Sequence, residues 1–248
     1  MSKPNDDMIF GIHACVEAVR SGKEVNKVMI QRGLRGDLIN KLIEELKENG
    51  IEPVYVPDEK LNRFGNRNHQ GVIALISPVG YQSIEDVLPK VFEEGRVPLF
   101  LLLDRITDVR NFGAICRSAE CMGVDAVIIP EKGGALITSD AIKTSAGALM
   151  KIPVCKHYNL KEVIDFLKES GLQIIGCTEK TDNYIEDVDM KLPTCIIMGN
   201  EEEGISQEYL KRCTHKVKIP MTGTIESLNV SVSAGIIVYE VLRQRRIK

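Results

Sequence analysis

The sequence has no tryptophan, and its four histidines, at 13, 69, 157 and 215, stand far apart without ligand spacing. No Cys-x-x-Cys occurs among the seven cysteines, at 15, 116, 121, 155, 177, 195 and 213. A zinc site needs clustered thiolates or imidazoles, and a disulfide framework needs paired thiols in an oxidising compartment. The scattered, odd set therefore predicts reduced thiols, no metal, and a cytoplasmic protein. No apolar run approaches the roughly 20 residues of a membrane span, and MSKPNDDMIF has no apolar core for a signal peptide. No membrane partner is expected. The formal charge is −3, so a polyanion would have to be held by a local basic patch. G-x-G-x-x-G, G-x-x-x-x-G-K-[ST], G-x-S-x-G and H-E-x-x-H are all missing. Those absences weigh against a dinucleotide oxidoreductase, a P-loop NTPase, an esterase and a zinc protease.

At 248 residues the chain can hold one or two domains. Residues 8–77 read as a small α/β unit. MIFGIHACVEAVRSG predicts a short strand or turn and then a helix, and KVMIQRG a strand. DLINKLIEELKENG is amphipathic: Leu38, Leu42 and Leu46 recur with Ile39 and Ile43 beside them. Asp37 is placed to cap this helix and Gly50 to close it. IEPVYVP and VIALIS follow as strands. Between them KLNRFGNRNHQG, 60–71, carries Lys60, Arg63, Arg67 and His69 around Phe64, with no acidic residue. Phosphates take Arg and Lys, while bases take aromatic faces and amide edges, so this loop suits RNA. The competing reading is a solvated loop whose charges do nothing specific. Pro78, Gly80, Pro89 and Gly95 punctuate residues 78–96, which read as a linker with a short helix at best.

Residues 97–248 form a second α/β unit. PLFLLLD is wholly apolar, as strands inside a parallel sheet are. Strand runs then alternate with helical ones, which predicts a mostly parallel sheet with helices on both faces. Ligands in such sheets sit at the carboxyl ends of the strands. Three of these ends are loaded. At 104–117, Asp104, Asn111, Gly113 and Arg117 cluster. An arginine among Ala, Ile, Cys and Met is costly unless its guanidinium reaches an anion, a cleft or solvent. In MGNEEEGIS, Gly199 permits close backbone approach and Gly204 a tight turn. The run Glu201 to Glu203 opposes a phosphate and suits a cation or a sugar hydroxyl, or is simply solvated. In 219–242, a turn from Pro220 to Gly223 precedes Glu226, Ser227 and Asn229. A small-residue apolar helix follows, capped by Asn229 or Ser227, with Val230, Ile237 and Val241 on one face. An ordinary buried C-terminal helix is the plain alternative.

Taken in order, DRITDVRNFGAICRSAE, IIMGNEEEGIS and IPMTGTIESLNVSVSAGIIVYE resemble the three motifs of the SpoU (TrmH/RlmB-like) family of SPOUT RNA ribose 2′-O-methyltransferases. GIHACVEAV and HQGVIA are similar to the substrate-binding domain that precedes the catalytic domain in the 23S rRNA guanosine branch. The resemblance implies an α/β fold: a small N-terminal RNA-binding domain over 8–77, then a SPOUT-type sheet over 97–248 with a C-terminal trefoil knot. It also implies S-adenosylmethionine as cofactor, an obligate homodimer, and large-subunit rRNA as partner. The family's cofactor contacts carry over to Thr178, Gly199, Ile219 and Leu228. Its catalytic and target-binding positions carry over to Asn111, Arg117, Glu201, Ser227 and Asn229. Arg63, Arg67 and His69 are the RNA contacts expected in the leading unit.

One departure stands out: Arg105, Asp108 and Arg110 make the loop before Asn111 more charged than the family's usual Asp-Pro-His-Asn. No histidine lies in the motifs, and the family assigns activation of the 2′-hydroxyl to the arginine, here Arg117. A guanidinium, with its pKa above about 12, is rarely neutral. Either Arg117 stabilises the developing alkoxide while water or a phosphate takes the proton, or desolvation lowers its pKa. Ribose methylation of tRNA is the rival target. A non-catalytic RNA-binding or assembly factor is the rival class, against which the intact Asn111, Arg117, Glu201 and Asn229 count.

Overall fold

The computed structural model describes residues 7–65, 67–225 and 227–246. Two compact units emerge: Met1–Gly80 with Leu136–Ser139, and Tyr81–Ala135 with Asp140–Lys248. The first is a four-stranded sheet of β1 (Met8–Phe10), β2 (Val25–Gln31), β3 (Val54–Val56) and β4 (Val72–Ile76), in the order β1-β4-β2-β3. β4 runs antiparallel to β1 and β2, and β3 lies parallel to β2. Three helices complete it: α1 (Ile12–Arg20), α2 (Asp37–Glu48) and α3 (Asp58–Asn62). Alternation sorts the strand side chains. Val28, Ile30, Val72 and Ala74 pack under Cys15, Val19, Leu42 and Leu46, while Met29 and Ile73 meet Val56 and Leu61 on the opposite side.

Two details of α2 differ from expectation. Its buried stripe is Ile39, Leu42 and Leu46, and Leu38 is 44% exposed. Spacings of three and four keep a stripe on one axis, whereas repeated steps of four drift off it. The cap position is Gly36, at φ 137°, and Asp37 sits in the first turn, where a carboxylate meets the positive helix end. Gly50, at φ 68°, closes the helix, its N–H donating to the Lys47 carbonyl while Ile51 N–H donates to that of Leu46.

The second unit holds β5 (Leu99–Leu103), β6 (Ala126–Pro130), β7 (Val154–His157), β8 (Gln173–Cys177), β9 (Thr194–Met198) and β10 (His215–Val217). Their order is β10-β8-β9-β5-β6-β7, and every pairing is parallel. The helices are α4 (Ile84–Glu93), α5 (Val109–Cys121), α6 (Ser139–Thr144), α7 (Leu160–Glu169), α8 (Gln207–Leu210) and α9 (Val230–Arg246). β5 is buried throughout: Phe100 and Leu102 pack with α4 and α7, and Leu99, Leu101 and Leu103 face the other way. Both sheet faces are therefore covered.

The expected linker, 78–96, is a correction. Residues 84–93 form α4, capped by Ser83 Oγ accepting from Glu85 N–H at 3.1 Å. Ile84, Val87, Leu88 and Val91 are buried against the second sheet. Pro89 inside a helix costs about 3 kcal/mol. Burying four aliphatic side chains, each contributing about 1.5–3 kcal/mol, outweighs it.

The helical stretch that starts at Ser139 breaks after Thr144, because Ala146 (φ 51°) and Gly147 (φ 85°) turn left-handed before a short 3₁₀ turn at Ala148–Met150. That break sits against α5. A Cβ added to Gly113 would lie 2.8 Å from Thr144 Cβ and 2.9 Å from the Ala141 carbonyl. Gly113 thus serves backbone-to-backbone packing of two helices rather than a ligand.

The far end of α9 is tied down by Arg245. Its guanidinium donates to the carbonyls of Val97 (2.7 Å), Pro98 (3.0 Å), Met190 (3.1 Å) and Leu192 (3.0 Å). Gln244 beside it bridges Met190 N–H and the Val188 carbonyl. No helix among the described residues is long and apolar enough to cross a membrane, and no group of three metal-ligating side chains assembles among them. All seven cysteines are free thiols. Burial pushes the Cys15 and Cys155 thiols up to about 12.

Candidate active site at the carboxyl ends of the second sheet

Parallel strands present all their carboxyl ends on one edge. There a cavity of about 290 Å³ opens among the ends of β8, β9 and β10 and the start of α9. Thr178, Gly199, Ile219 and Leu228 line it, with Glu201 and Ser227, and Met198, Val217 and Ile237 supply apolar wall. Glu226 lies outside the described residues.

Gly199 is required by the path of the chain after β9. A Cβ there would sit 2.0 Å from the Gly204 carbonyl carbon and 2.2 Å from Ile205 N. The loop returns on itself through Gly204, at φ 70°, whose N–H donates to the Asn200 carbonyl at 3.1 Å. Asn200 Oδ1 accepts from the N–H groups of Glu202 (3.2 Å) and Glu203 (2.7 Å). Glu201 stands at the tip of this ring.

The three loaded strand ends meet at one oxygen. Glu201 Oε1 accepts from Asn111 Nδ2 at 3.0 Å, from Asn229 Nδ2 at 2.9 Å, and from Val230 N–H at 3.5 Å. Asn229 Nδ2 also lies 3.0 Å from Asn111 Oδ1. Both asparagines are positioned by helix starts. Asp108 Oδ1 caps α5 by accepting from Asn111 N–H at 2.7 Å. Asn229 Oδ1 caps α9 by accepting from Ser231 N–H at 2.9 Å. The carboxylate thus faces the positive ends of two helices.

On the opposite side of the same loop, buried Asp104 accepts from Ser206 N–H at 2.7 Å and from Arg105 Nε at 2.9 Å. Arg105 also pairs with Glu203 and donates to the Gly204 carbonyl at 3.2 Å. The Asp104 hydrogen bond, ahead of the other contacts, raises the Arg105 pKa above its ordinary value.

Arg117 stands apart. It is exposed on α5, without a partner among the described residues. Six residues after Asn111, it lies about 240° further round the helix. One chain therefore assembles Asn111, Glu201 and Asn229 beside a cavity edged by Ser227, and leaves Arg117 facing outward.

In the first unit Arg63 is exposed and unpartnered among the described residues, and Arg67 stacks 5.0 Å over the Phe10 ring. His69 is spent inside its own loop. Its Nδ1 accepts from Gly71 N–H at 3.0 Å, and its Nε2 lies 3.1 Å from Asn62 Oδ1. Sequence reasoning missed the turn after β2. Gln31 N–H donates to the Gly71 carbonyl at 2.8 Å, and a Cβ on Gly71 would lie 3.0 Å from Leu34 Cδ2. The exposed Arg32 and Arg35 therefore stand beside the basic loop. No local signal announces this, since the two stretches are about 30 residues apart and only strand pairing joins them.

Comparison with known proteins agrees with this arrangement in both units. The profile of the SpoU rRNA Methylase family matches residues 98–239. That for RNA 2′-O ribose methyltransferase substrate binding matches residues 8–82. A protein of Staphylococcus epidermidis, provisionally described as a TrmH family tRNA/rRNA methyltransferase, is 37% identical over 240 residues, which is 97% of this chain and 96% of that one. A counterpart from Staphylococcus aureus strain MSSA476 is 36% identical over 97% of each chain. Among solved structures, the SpoU methyltransferase AviRb from Streptomyces viridochromogenes, in complex with the cofactor AdoMet, superposes with a TM-score of 0.61 at 26% identity, covering 96% of this chain and 90% of that one. The A. aeolicus TrmH/SpoU tRNA modifying enzyme gives a TM-score of 0.56 at 32% identity, over 65% of this chain and 83% of that one. With both units matched, and with relatives that align along almost their whole length, the chain belongs to the SpoU rRNA methylase family.

Proposed function

We propose that this chain methylates the 2′-hydroxyl of a guanosine ribose in large-subunit (23S) rRNA. The family gives the coarser reading, an RNA methyltransferase that uses S-adenosylmethionine. The observation that carries it is the meeting of Asn111, Asn229 and Glu201 at the lip of the cavity.

The cavity's chemistry fits that cofactor. Its wall is apolar at Met198, Val217, Ile219, Leu228 and Ile237, and its mouth carries Glu201, Glu202 and Glu203. Carboxylates favour a cationic sulfonium and disfavour a phosphate. Gly199 brings bare backbone to the cavity, and Thr178 edges it. When bound, S-adenosylmethionine supplies an electrophilic methyl group on a positively charged sulfur. Everything else falls to the chain. Asn111 and Asn229 hold the Glu201 carboxylate in one orientation, so that it aligns a ribose hydroxyl or a guanidinium. Ser227 edges the same space. Arg117 binds the phosphate beside the target and stabilises the developing alkoxide, the proton leaving to water or to that phosphate. The desolvation route is the weaker one, because Arg117 is exposed in the single chain.

Residues 97–248 carry the methyl transfer and residues 8–77 position the RNA, through Arg63, Arg67 and the neighbouring Arg32 and Arg35. His69 shapes that loop. A homodimer belongs to the same proposal. α9 exposes Val232 at 50% and Tyr239 at 57%, two turns apart on one face. Covering that face with a second copy removes apolar surface from water. The trefoil knot also belongs to it, supported by the return of 199–204, 217–221 and 227–228 to one cavity mouth. Free thiols in all seven positions support a cytoplasmic setting.

A second reading, ribose methylation of tRNA, is favoured by the A. aeolicus neighbour at 32% identity. The test is transfer of labelled methyl from S-adenosylmethionine to unmodified large-subunit rRNA and, in parallel, to bulk tRNA, followed by mapping of the modified ribose. Label at one guanosine 2′-oxygen of rRNA is the expected result. Label in tRNA alone moves the target to the second reading. Label in neither, with no cofactor binding, overturns the enzyme.

A further inference from the structure

The clamp of Asn111 and Asn229 holds one side of the ring 199–206. Two adjacent residues at the end of β5 hold the other. Asp104 is 2% exposed and takes Ser206 N–H on Oδ2 at 2.7 Å. Arg105 reaches back across it, with Nε on Asp104 Oδ1 at 2.9 Å, a pairing with Glu203, and a donor 3.2 Å from the Gly204 carbonyl. We propose that Arg105 is a positioning residue for methyl transfer: its guanidinium, spanning Asp104, Glu203 and the Gly204 carbonyl, sets where Glu201 stands over the cavity. The proposal rests on the methyltransferase reading of that site and adds to it a residue that is not among the catalytic or cofactor positions carried over from the family.

Three features carry the argument. Arg105 adopts φ 57°, a left-handed conformation that L side chains rarely take and that persists only where surrounding contacts enforce it. Its planar fork matches two carboxylates and a carbonyl at once, which a lysine ammonium does not reproduce. The ring is too tight to absorb a displacement. Asn200 accepts from Gly204 N–H at 3.1 Å and from Glu203 N–H at 2.7 Å, and Gly199 has no room even for a Cβ. A shift at 203–204 is therefore felt at 201.

Arg105 is also the countercharge of a buried carboxylate, so loss of stability alone would not separate the two roles. The experiment compares wild type with Arg105→Ala, Arg105→Lys and the double variant Asp104→Asn/Arg105→Ala, which leaves no lone buried carboxylate. Each is measured for thermal midpoint, for S-adenosylmethionine Kd by calorimetry, and for kcat of methyl transfer at saturating cofactor. The double variant is expected to melt near wild type and yet to lose about 10- to 100-fold in kcat, with a Kd roughly tenfold weaker. Arg105→Lys is expected to keep the fold and recover less than half of the lost activity. A double variant with wild-type midpoint, Kd and kcat would make Arg105 a countercharge only and overturn the proposal. Recovery of full activity in Arg105→Lys would do the same, by showing that charge suffices without the fork. If wild type itself binds no S-adenosylmethionine, the reading of the site fails first, whatever the variants do.

Discussion

Loop 199–206 and loop 60–71 both carry the charged groups expected at a site, and they treat charge in opposite ways. In 199–206 the carboxylates are fixed: Glu201 by three donors and Glu203 by Arg105. In 60–71 the shape is held mostly by amide, imidazole and backbone groups with one carboxylate, Asp58, and neither Arg63 nor Arg67 is ion-paired among the described residues. Asn62 donates to Asp58 at 2.8 Å, His69 takes Gly71 N–H, and Gln70 Oε1 takes Ile12 N–H at 3.3 Å. Arg63 and Arg67 remain exposed. Under the proposed function the difference follows from the partners. Aligning a reacting hydroxyl demands a group fixed to a fraction of an ångström. Neutralising phosphates demands long cations near a flexible polyanion, in no single geometry. Arg117 belongs by this criterion with the exposed arginines, although it lies on the same helix as Asn111.

The largest test of that contrast is Arg117→Ala. It is expected to lower methyl transfer by at least about 10³-fold, roughly 4 kcal/mol of barrier, with cofactor binding unchanged. Turnover within about tenfold of wild type would return Arg117 to ordinary surface. Next comes Glu201→Gln, which places an amide against the two asparagine amides that now share one carboxylate oxygen. A loss of about 10²-fold in kcat is expected, roughly 2.7 kcal/mol. An unaffected kcat would mean that no fixed carboxylate is needed. Gly199→Ala forces the ring open, since its Cβ would meet backbone at 2.0 Å. A destabilisation of about 2–3 kcal/mol, lowering the melting midpoint by roughly 5–10 °C, is the expected outcome. A midpoint equal to wild type would show that the ring flexes. The smallest effect is that of Arg63→Ala with Arg67→Ala. Binding should weaken modestly, the slope of log affinity against log salt should fall by about 1.4, and kcat at saturating RNA should stay the same. An identical slope would remove the basic loop from the RNA interface.

Much of this was readable from residue order. The apolar run of β5 announced a parallel interior strand, and the three strand ends rich in Asn, Glu and Gly do converge. Parallel topology alone puts strand ends together, and the resemblance to the family's motifs is what nominated Asn111, Glu201 and Asn229 among the residues there. What escaped depended on contacts between stretches distant in the chain. Pro89 reads as a breaker until the burial of Ile84, Val87, Leu88 and Val91 is known. Arg32 and Arg35 gain a setting only when β2 pairs with β4. Arg105, beside an aspartate, looks like surface charge until Glu203 and Gly204 arrive from about a hundred residues away. Gly113 packs against the backbone of α6, and His69 bonds to Asn62 and Gly71 within its own loop; a glycine or a histidine satisfied inside the fold leaves no trace in a motif.

The anchoring of α9 has a practical side. Seventeen residues at about 1.5 Å each make a rod of roughly 25 Å. One end caps itself beside Glu201, and the other is bolted through Arg245 to the amino ends of β5 and β9. A rod pinned at both ends moves as one piece. A chain cut before Arg245 unpins the rod and lets Asn229 drift from the carboxylate it holds. Changing the Arg245 end of α9 therefore changes the candidate site, from the amino ends of the same strands.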